Sequence, residues 1–181
     1  MNLANKITLF RVFLVPVFLI VLYSNIENNV IIAGLIFIIA SLTDMLDGYI
    51  ARSRNLVTNF GKFVDPLADK VLASAALIAL VDMGKISGWI VVIIIAREFT
   101  VTGFRVIAAS EGVTIAASPW GKLKTISQLV AIILFLFNNF PFSYLGIPTD
   151  IIMIYIALIF TVVSGVDYIV KNKNIIDIKD I

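Results

Sequence analysis

The sequence predicts an all-α integral membrane protein: six transmembrane helices in one bundle, with both termini cytoplasmic. Three observations lead there. The 181 residues are 60% hydrophobic and only 14% charged, with a mean hydropathy of +1.04, whereas a soluble domain is about one quarter charged. The apolar residues gather into six runs near the roughly 20-residue length of a bilayer-crossing helix, and helices satisfy their own backbone in lipid. The cations are also asymmetric. Lys6, Arg11, Arg52, Arg54, Lys62, Lys70, Arg97, Arg105, Lys122, Lys124, Lys171, Lys173 and Lys179 fall on one set of flanks, and only Lys85 on the other. The positive-inside tendency then puts both termini in the cytoplasm. With no internal repeat and no connection long enough for a soluble module, residues 1–181 read as a single domain.

The first span covers about 8–23. "MNLANKITLFRVFLVPVFLIVLY" has the positive start and apolar run of a signal peptide, but no small-residue cleavage site follows and the run ends in "SNIENN". It is therefore read as a retained span. The second and third spans, about 29–51 and 63–83, flank the stretch "DMLDGYIARSRNLVTNFGKFVDPLAD" at 44–69. Pro66 disfavours helix at Asp65, so either the third helix starts near Asn59 and tolerates a kink or Asp65 is its N-cap. The first option is preferred because it keeps Asp65 and Asp69 on one face. Gly84 suits the C′ position that closes this helix. The fourth span covers about 87–109. Ser118-Pro119 reads as N-cap and first helical position of the fifth, about 120–138. "NNFPFSYLGIP" has too many breakers to be helical, and Thr149-Asp150 after Pro148 caps the sixth, about 150–170.

Absent residue types narrow the chemistry. Without cysteine there is no disulfide framework or thiolate metal site. Without histidine, the usual general base and zinc ligand are missing. Acid–base or metal chemistry falls to carboxylates, lysines, arginines and hydroxyls. A net charge of +2 is too small to suggest a nucleic-acid partner.

Four aspartates stand where charge is costly. Asp44 and Asp47 are three apart near the inner end of the second span, and Asp65 and Asp69 are four apart near the inner start of the third. Each spacing puts its pair on one helical face. Four like charges in a low dielectric need cations, and an all-oxygen set selects hard ions such as Mg²⁺ or Mn²⁺. Two divalent ions would neutralise the formal −4 and are suited to phosphoryl displacement. A monovalent-ion or proton pathway is the rival, while ordinary interfacial aspartates are a poor account of two matched pairs. Gly48, Ala51 and Gly61 leave room for a bulky planar group, although tight helix packing also uses small residues. Arg52 offers a bidentate fork for phosphate, and Thr58 is placed to cap the third helix or donate to a ligand.

The stretch reads D-x2-D-G-x2-A-R-x8-G-x3-D-x3-D, with Asp44, Asp47, Gly48, Ala51, Arg52, Gly61, Asp65 and Asp69 in register. It resembles the signature of the CDP-alcohol phosphatidyltransferase family, with no departure over 26 residues. The resemblance implies six membrane helices, a homodimer and a cytoplasm-facing site with two divalent cations, Mg²⁺ or Mn²⁺. It implies that CMP is displaced from a CDP-linked lipid by an alcohol. By that likeness Asp44, Asp47 and Asp65 are metal ligands, Asp69 is both ligand and general base, and Gly48, Arg52 and Thr58 lie along the CDP moiety. "NLANKITLFR" resembles the family's N-terminal segment, which makes Asn5 and Thr8 candidate nucleotide contacts.

The second substrate rests on other residues. "AREFTVTGFRVIAAS" sets Arg97 and Arg105 eight apart on roughly one face, "SPWGKLKTISQ" brings Lys122 and Lys124, and Lys70 adjoins Asp69. Such a cation cluster suggests a phosphorylated acceptor. Positive-inside flanking accounts equally for Lys122 and Lys124, but poorly for Arg97 deep in a span. Glu98 reads as a counter-ion. The patterns AREF-VTG-R and AS-WGK-KT--Q resemble the branch of the family that uses CDP-diacylglycerol and sn-glycerol 3-phosphate. That likeness implies phosphatidylglycerophosphate as product in a cell membrane. Alternatives are a sibling enzyme accepting serine, inositol phosphate or phosphatidylglycerol, and a cation transporter. The transporter gives no reason for the small residues and Arg52 at their spacings.

Overall fold

The computed structural model describes the backbone of residues 3–53, 59–110, 115 and 118–172, and the side chains of 9–43, 70–109, 115 and 118–172. Within them the chain is all-helical: α1 (Leu3–Leu22), α2 (Asn29–Ser53), α3 (Asn59–Asp82), α4 (Gly88–Ser110), α5 (Pro119–Leu136) and α6 (Thr149–Asn172), with one 3₁₀ turn at Phe142–Leu145. No strand occurs among the described residues. Two of these helices, α5 and α6, are long and apolar enough to cross a membrane. The described apolar stretches of α1 and α2, Leu9–Leu22 and Asn29–Thr43, are shorter.

Boundaries follow local chemistry. α3 starts at Asn59 and continues through Pro66, so Asp65 lies inside the helix rather than capping it. Its end is a Schellman turn. Gly84 takes φ +70, its N–H donates to Val81 O at 2.9 Å, and the Lys85 N–H donates to Leu80 O at 2.9 Å. Ser118 caps α5, accepting from the Gly121 N–H at 3.2 Å with Pro119 next in line. At α6 the capping is shared. The Asp150 carboxylate accepts from the Ile151 N–H at 2.9 Å, and Asn139 Oδ1 accepts from the Asp150 N–H at 3.2 Å. The breakers of the 138–148 connection exclude a helix by sequence, yet it contains the 3₁₀ turn. One turn needs a single i→i+3 closure, which these breakers allow, with Gly146 ending it at φ +65.

α1 packs against α2 and α3, and α6 against α5 and α4. Phe18 and Phe37 meet with ring centroids 6.1 Å apart. They join Ala33, Leu77, Leu80, Ile94, Ile132 and Leu136 in a fully buried core. Gly34 lets α2 approach the end of α5: a Cβ there would stand 2.7 Å from Phe137 Cε2. Large apolar side chains also remain on the outside, Phe13 at 66% and Ile20 at 71% exposure among them, a surface suited to lipid rather than water.

Three connections at one end of the bundle are tied by side chains. Asn29 Nδ2 donates to Leu22 O at 2.7 Å and Ser24 O at 2.8 Å. Lys85 Nζ donates to Phe135 O and to Asn138 Oδ1, both at 2.9 Å. Asn139 Nδ2 donates to Ile147 O at 2.6 Å. Burial pushes the Lys85 ammonium below its usual pKa, and Asp150 opposes that shift.

Candidate active site

Alternating helices bring the start of α1, the end of α2 and the start of α3 to the end of the bundle opposite those ties. Asn5 and Thr8 lie in α1. Asp44, Asp47, Gly48, Ala51 and Arg52 lie in the last turns of α2, and Gly61, Asp65 and Asp69 in the first half of α3. The side chains of all these residues lie outside the described set, as does Thr58 altogether. Both aspartate pairs are on continuous helical backbone, so each pair shares a face. Their donor chemistry, carboxylate oxygen with no imidazole or thiolate, fits hard divalent cations. Among the described residues no group of three or more metal-ligating side chains occurs.

From Lys70, the residue directly after Asp69 on α3, the side chains are described, and a compact ionic cluster appears. Glu98 of α4 is its hub. Lys70 Nζ lies 3.1 Å from Glu98 Oε2, Arg97 Nη1 donates to Glu98 Oε1 at 3.2 Å, and Lys124 Nζ of α5 also donates to Oε1. The side chains are 17%, 16%, 15% and 4% exposed for Lys70, Glu98, Arg97 and Lys124. Three cations share one carboxylate, leaving an excess of two positive charges among the described residues. Burying such an excess is costly, so the cluster is suited to receive an anion.

Arg97 is threaded between helices. Its Nη2 donates to Ser164 Oγ of α6 at 2.9 Å, and its buried Nε has no partner among the described residues. Glycines flank its path: a Cβ on Gly165 would stand 3.2 Å from Arg97 Cγ, and one on Gly121 would stand 3.8 Å from Nη2. Beside the cluster, Lys70, Glu98, Lys124, Thr125 and Gln128 line a recess of about 30 Å³.

The structure thus brings together Lys70, Arg97 and Lys124 from three helices. It does not bring Arg105 or Lys122 to them. Arg105 lies on α4 with its guanidinium 5.7 Å from the Tyr168 ring centroid, and both side chains are exposed. Glu98, expected as a counter-ion, serves three cations rather than one; Ser164 carries no signal in the sequence, and Gln128 enters only as the last position of the pattern AS-WGK-KT--Q. The signal for Glu98 and Gln128 was present in the stretches carrying the cations, but which helices face each other is not written in local spacing.

A family model described as CDP-alcohol phosphatidyltransferase matches residues 1–163. The chain is 46% identical to the CDP-diacylglycerol–glycerol-3-phosphate 3-phosphatidyltransferase of Bacillus subtilis, over 94% of this chain and 95% of that protein. It is 42% identical to the protein of the same name from Haemophilus influenzae, over 95% and 94%. A third, from Rickettsia typhi, is 37% identical over 92% and 94%. Family match and near full-length similarity agree with the aspartate pattern and its helical setting, and the chain belongs to the CDP-alcohol phosphatidyltransferase family.

Proposed function

We propose that the chain transfers the phosphatidyl group of CDP-diacylglycerol to sn-glycerol 3-phosphate, giving phosphatidylglycerophosphate and CMP. The family and the names of its similar proteins support the reaction. The observation that carries the acceptor assignment is the Lys70–Arg97–Lys124 cluster around Glu98, with two excess positive charges among the described residues. A phosphate monoester brings a matching charge, and Arg97 and the lysines bind it through charge-assisted hydrogen bonds.

In this reading the nucleotide occupies the α2–α3 end. Arg52 pairs with the pyrophosphate. Gly48, Ala51 and Gly61 leave room for the nucleotide, and Asn5, Thr8 and Thr58 supply polar contacts. Asp44, Asp47, Asp65 and Asp69 hold two divalent cations, Mg²⁺ or Mn²⁺, which when bound neutralise pyrophosphate charge. The acceptor hydroxyl oxygen forms a bond to the lipid-proximal phosphorus as the bond from that phosphorus to the CMP oxygen breaks. An Asp69 carboxylate oxygen takes the hydroxyl proton, a role that requires hydrogen-bond reach first and a suitable pKa second. Lys70, Arg97 and Lys124 hold the acceptor phosphate, and Arg105 and Lys122 draw it in from the exposed rim.

The setting belongs to the same proposal. Residues 1–181 form one domain, all six helices cross the plasma membrane, both termini and the site face the cytoplasm, and the enzyme is a homodimer. The lysine and arginine distribution supports the orientation. The decisive assay incubates purified protein with CDP-diacylglycerol, Mg²⁺ or Mn²⁺ and single acceptors, following CMP release. Release with glycerol 3-phosphate is expected. Release with serine but not glycerol 3-phosphate would overturn the acceptor, and none from folded protein with any acceptor would overturn the transferase.

A further inference from the structure

The recess beside the cation cluster holds a buried group that the reaction as described does not use. Gln128 of α5 is 5% exposed, and its Oε1 is buried with no hydrogen-bond partner among the described residues. It lines the same recess as Lys70 and Ser74 of α3, Glu98 of α4, and Lys124 and Thr125 of α5. The innermost wall is apolar, with Leu77 and Ile94 fully buried, so bulk water does not solvate the amide from behind. An orphaned acceptor in such a place demands a donor.

The volume says how large that donor is. At about 30 Å³ the recess takes one water or one hydroxyl-bearing carbon, and no whole substrate. The recess also shares Lys70 and Lys124 with the cation cluster. Whatever enters is therefore part of a molecule whose anionic end lies on those ammonium groups. Ala73 also lines the recess, one helical turn beyond Asp69 on α3.

We propose that the Gln128 amide oxygen accepts a hydrogen bond from the second, non-attacking hydroxyl of a polyol phosphate acceptor, and so determines acceptor specificity. The inference rests on the transferase reading above and adds to it the group that reads the acceptor's carbon skeleton. The attacking hydroxyl gives its proton to Asp69, so the neighbouring hydroxyl is the one free to donate. Between turnovers a water fills the recess, and the hydroxyl replaces it while reproducing its hydrogen bond. An acceptor without that hydroxyl leaves the amide unpaired, which is how sites built around a hydroxyl reject its deoxy analogue.

The experiment compares sn-glycerol 3-phosphate with 3-hydroxypropyl phosphate, which keeps a terminal hydroxyl and the phosphate but lacks the middle hydroxyl. CMP release gives kcat and KM for each in the wild type, in Gln128→Met, which keeps an unbranched side chain of similar length, and in Gln128→Leu. Wild-type kcat/KM is expected to favour glycerol 3-phosphate by roughly tenfold or more. That preference should fall to about twofold or less in either variant, with KM for CDP-diacylglycerol unchanged. Equal use of both acceptors by the wild type overturns the proposal without needing a variant. An undiminished preference in a variant that elutes as folded protein also overturns it, and in both cases the transferase reading survives. No CMP release with either acceptor overturns that reading and this inference with it.

Discussion

Glu98 shows how one side chain sets the electrostatics of a site. Its two carboxylate oxygens serve Lys70, Arg97 and Lys124, cations from three helices. Glu98→Gln keeps the shape and removes the charge, taking from three largely buried cations the carboxylate they share. A loss of about 3 kcal/mol in stability is expected, read as a lower melting temperature in detergent. Asp69→Asn is expected to lower CMP release by a factor of about 100 or more with the melting temperature retained, since the amide cannot take a proton. In its proposed role at the rim, Arg105, exposed against Tyr168, would meet the acceptor before the buried cations do, so Arg105→Ala should raise the acceptor KM and leave kcat nearly unchanged. An unchanged KM would remove Arg105 from the acceptor's path. At this scale the sequence named the charged residues but not their hub. Glu98 adjoins Arg97 in the chain, whereas its contacts with Lys70 and Lys124 depend on how α3, α4 and α5 face one another.

At the scale of elements, punctuation carried the most information. Gly84 and Ser118 end and begin helices where their chemistry says they should, because caps are local. Ser118→Ala removes the oxygen that accepts the Gly121 N–H and is expected to cost about 1 kcal/mol. Gly84→Ala forces a Cβ onto a residue at φ +70 and should cost about 1–2 kcal/mol. Both are read from thermal unfolding in detergent, and a neutral result for either would mean that helix end contributes nothing to the folded state. The Asp65–Pro66 conflict was also settled by length. α3 begins at Asn59, leaving Pro66 within its early turns with the helix continuing past it. The 3₁₀ turn at Phe142–Leu145 is not legible in the sequence because a single turn has no periodicity.

For the molecule as a whole, composition revealed the class, since it is a sum over many residues, and the cation asymmetry is what the proposed orientation rests on. Helix partners were not legible: α4 against α6 rests on Arg97 reaching Ser164 and on the room left by Gly165. The chain has no cysteine, so single cysteines report sidedness without background. A membrane-impermeant maleimide added to intact cells should label Tyr144→Cys and should reach Ile115→Cys only after permeabilisation; the reverse pattern would invert the orientation. The connections tied by Asn29, Lys85 and Asn139 lie at the end where Tyr144 stands. Helices fastened there are joined like the tines of a fork at its handle. On the proposed reading, space for a two-tailed lipid would open as a wedge, widest at the end that carries the aspartates and narrowing towards the ties.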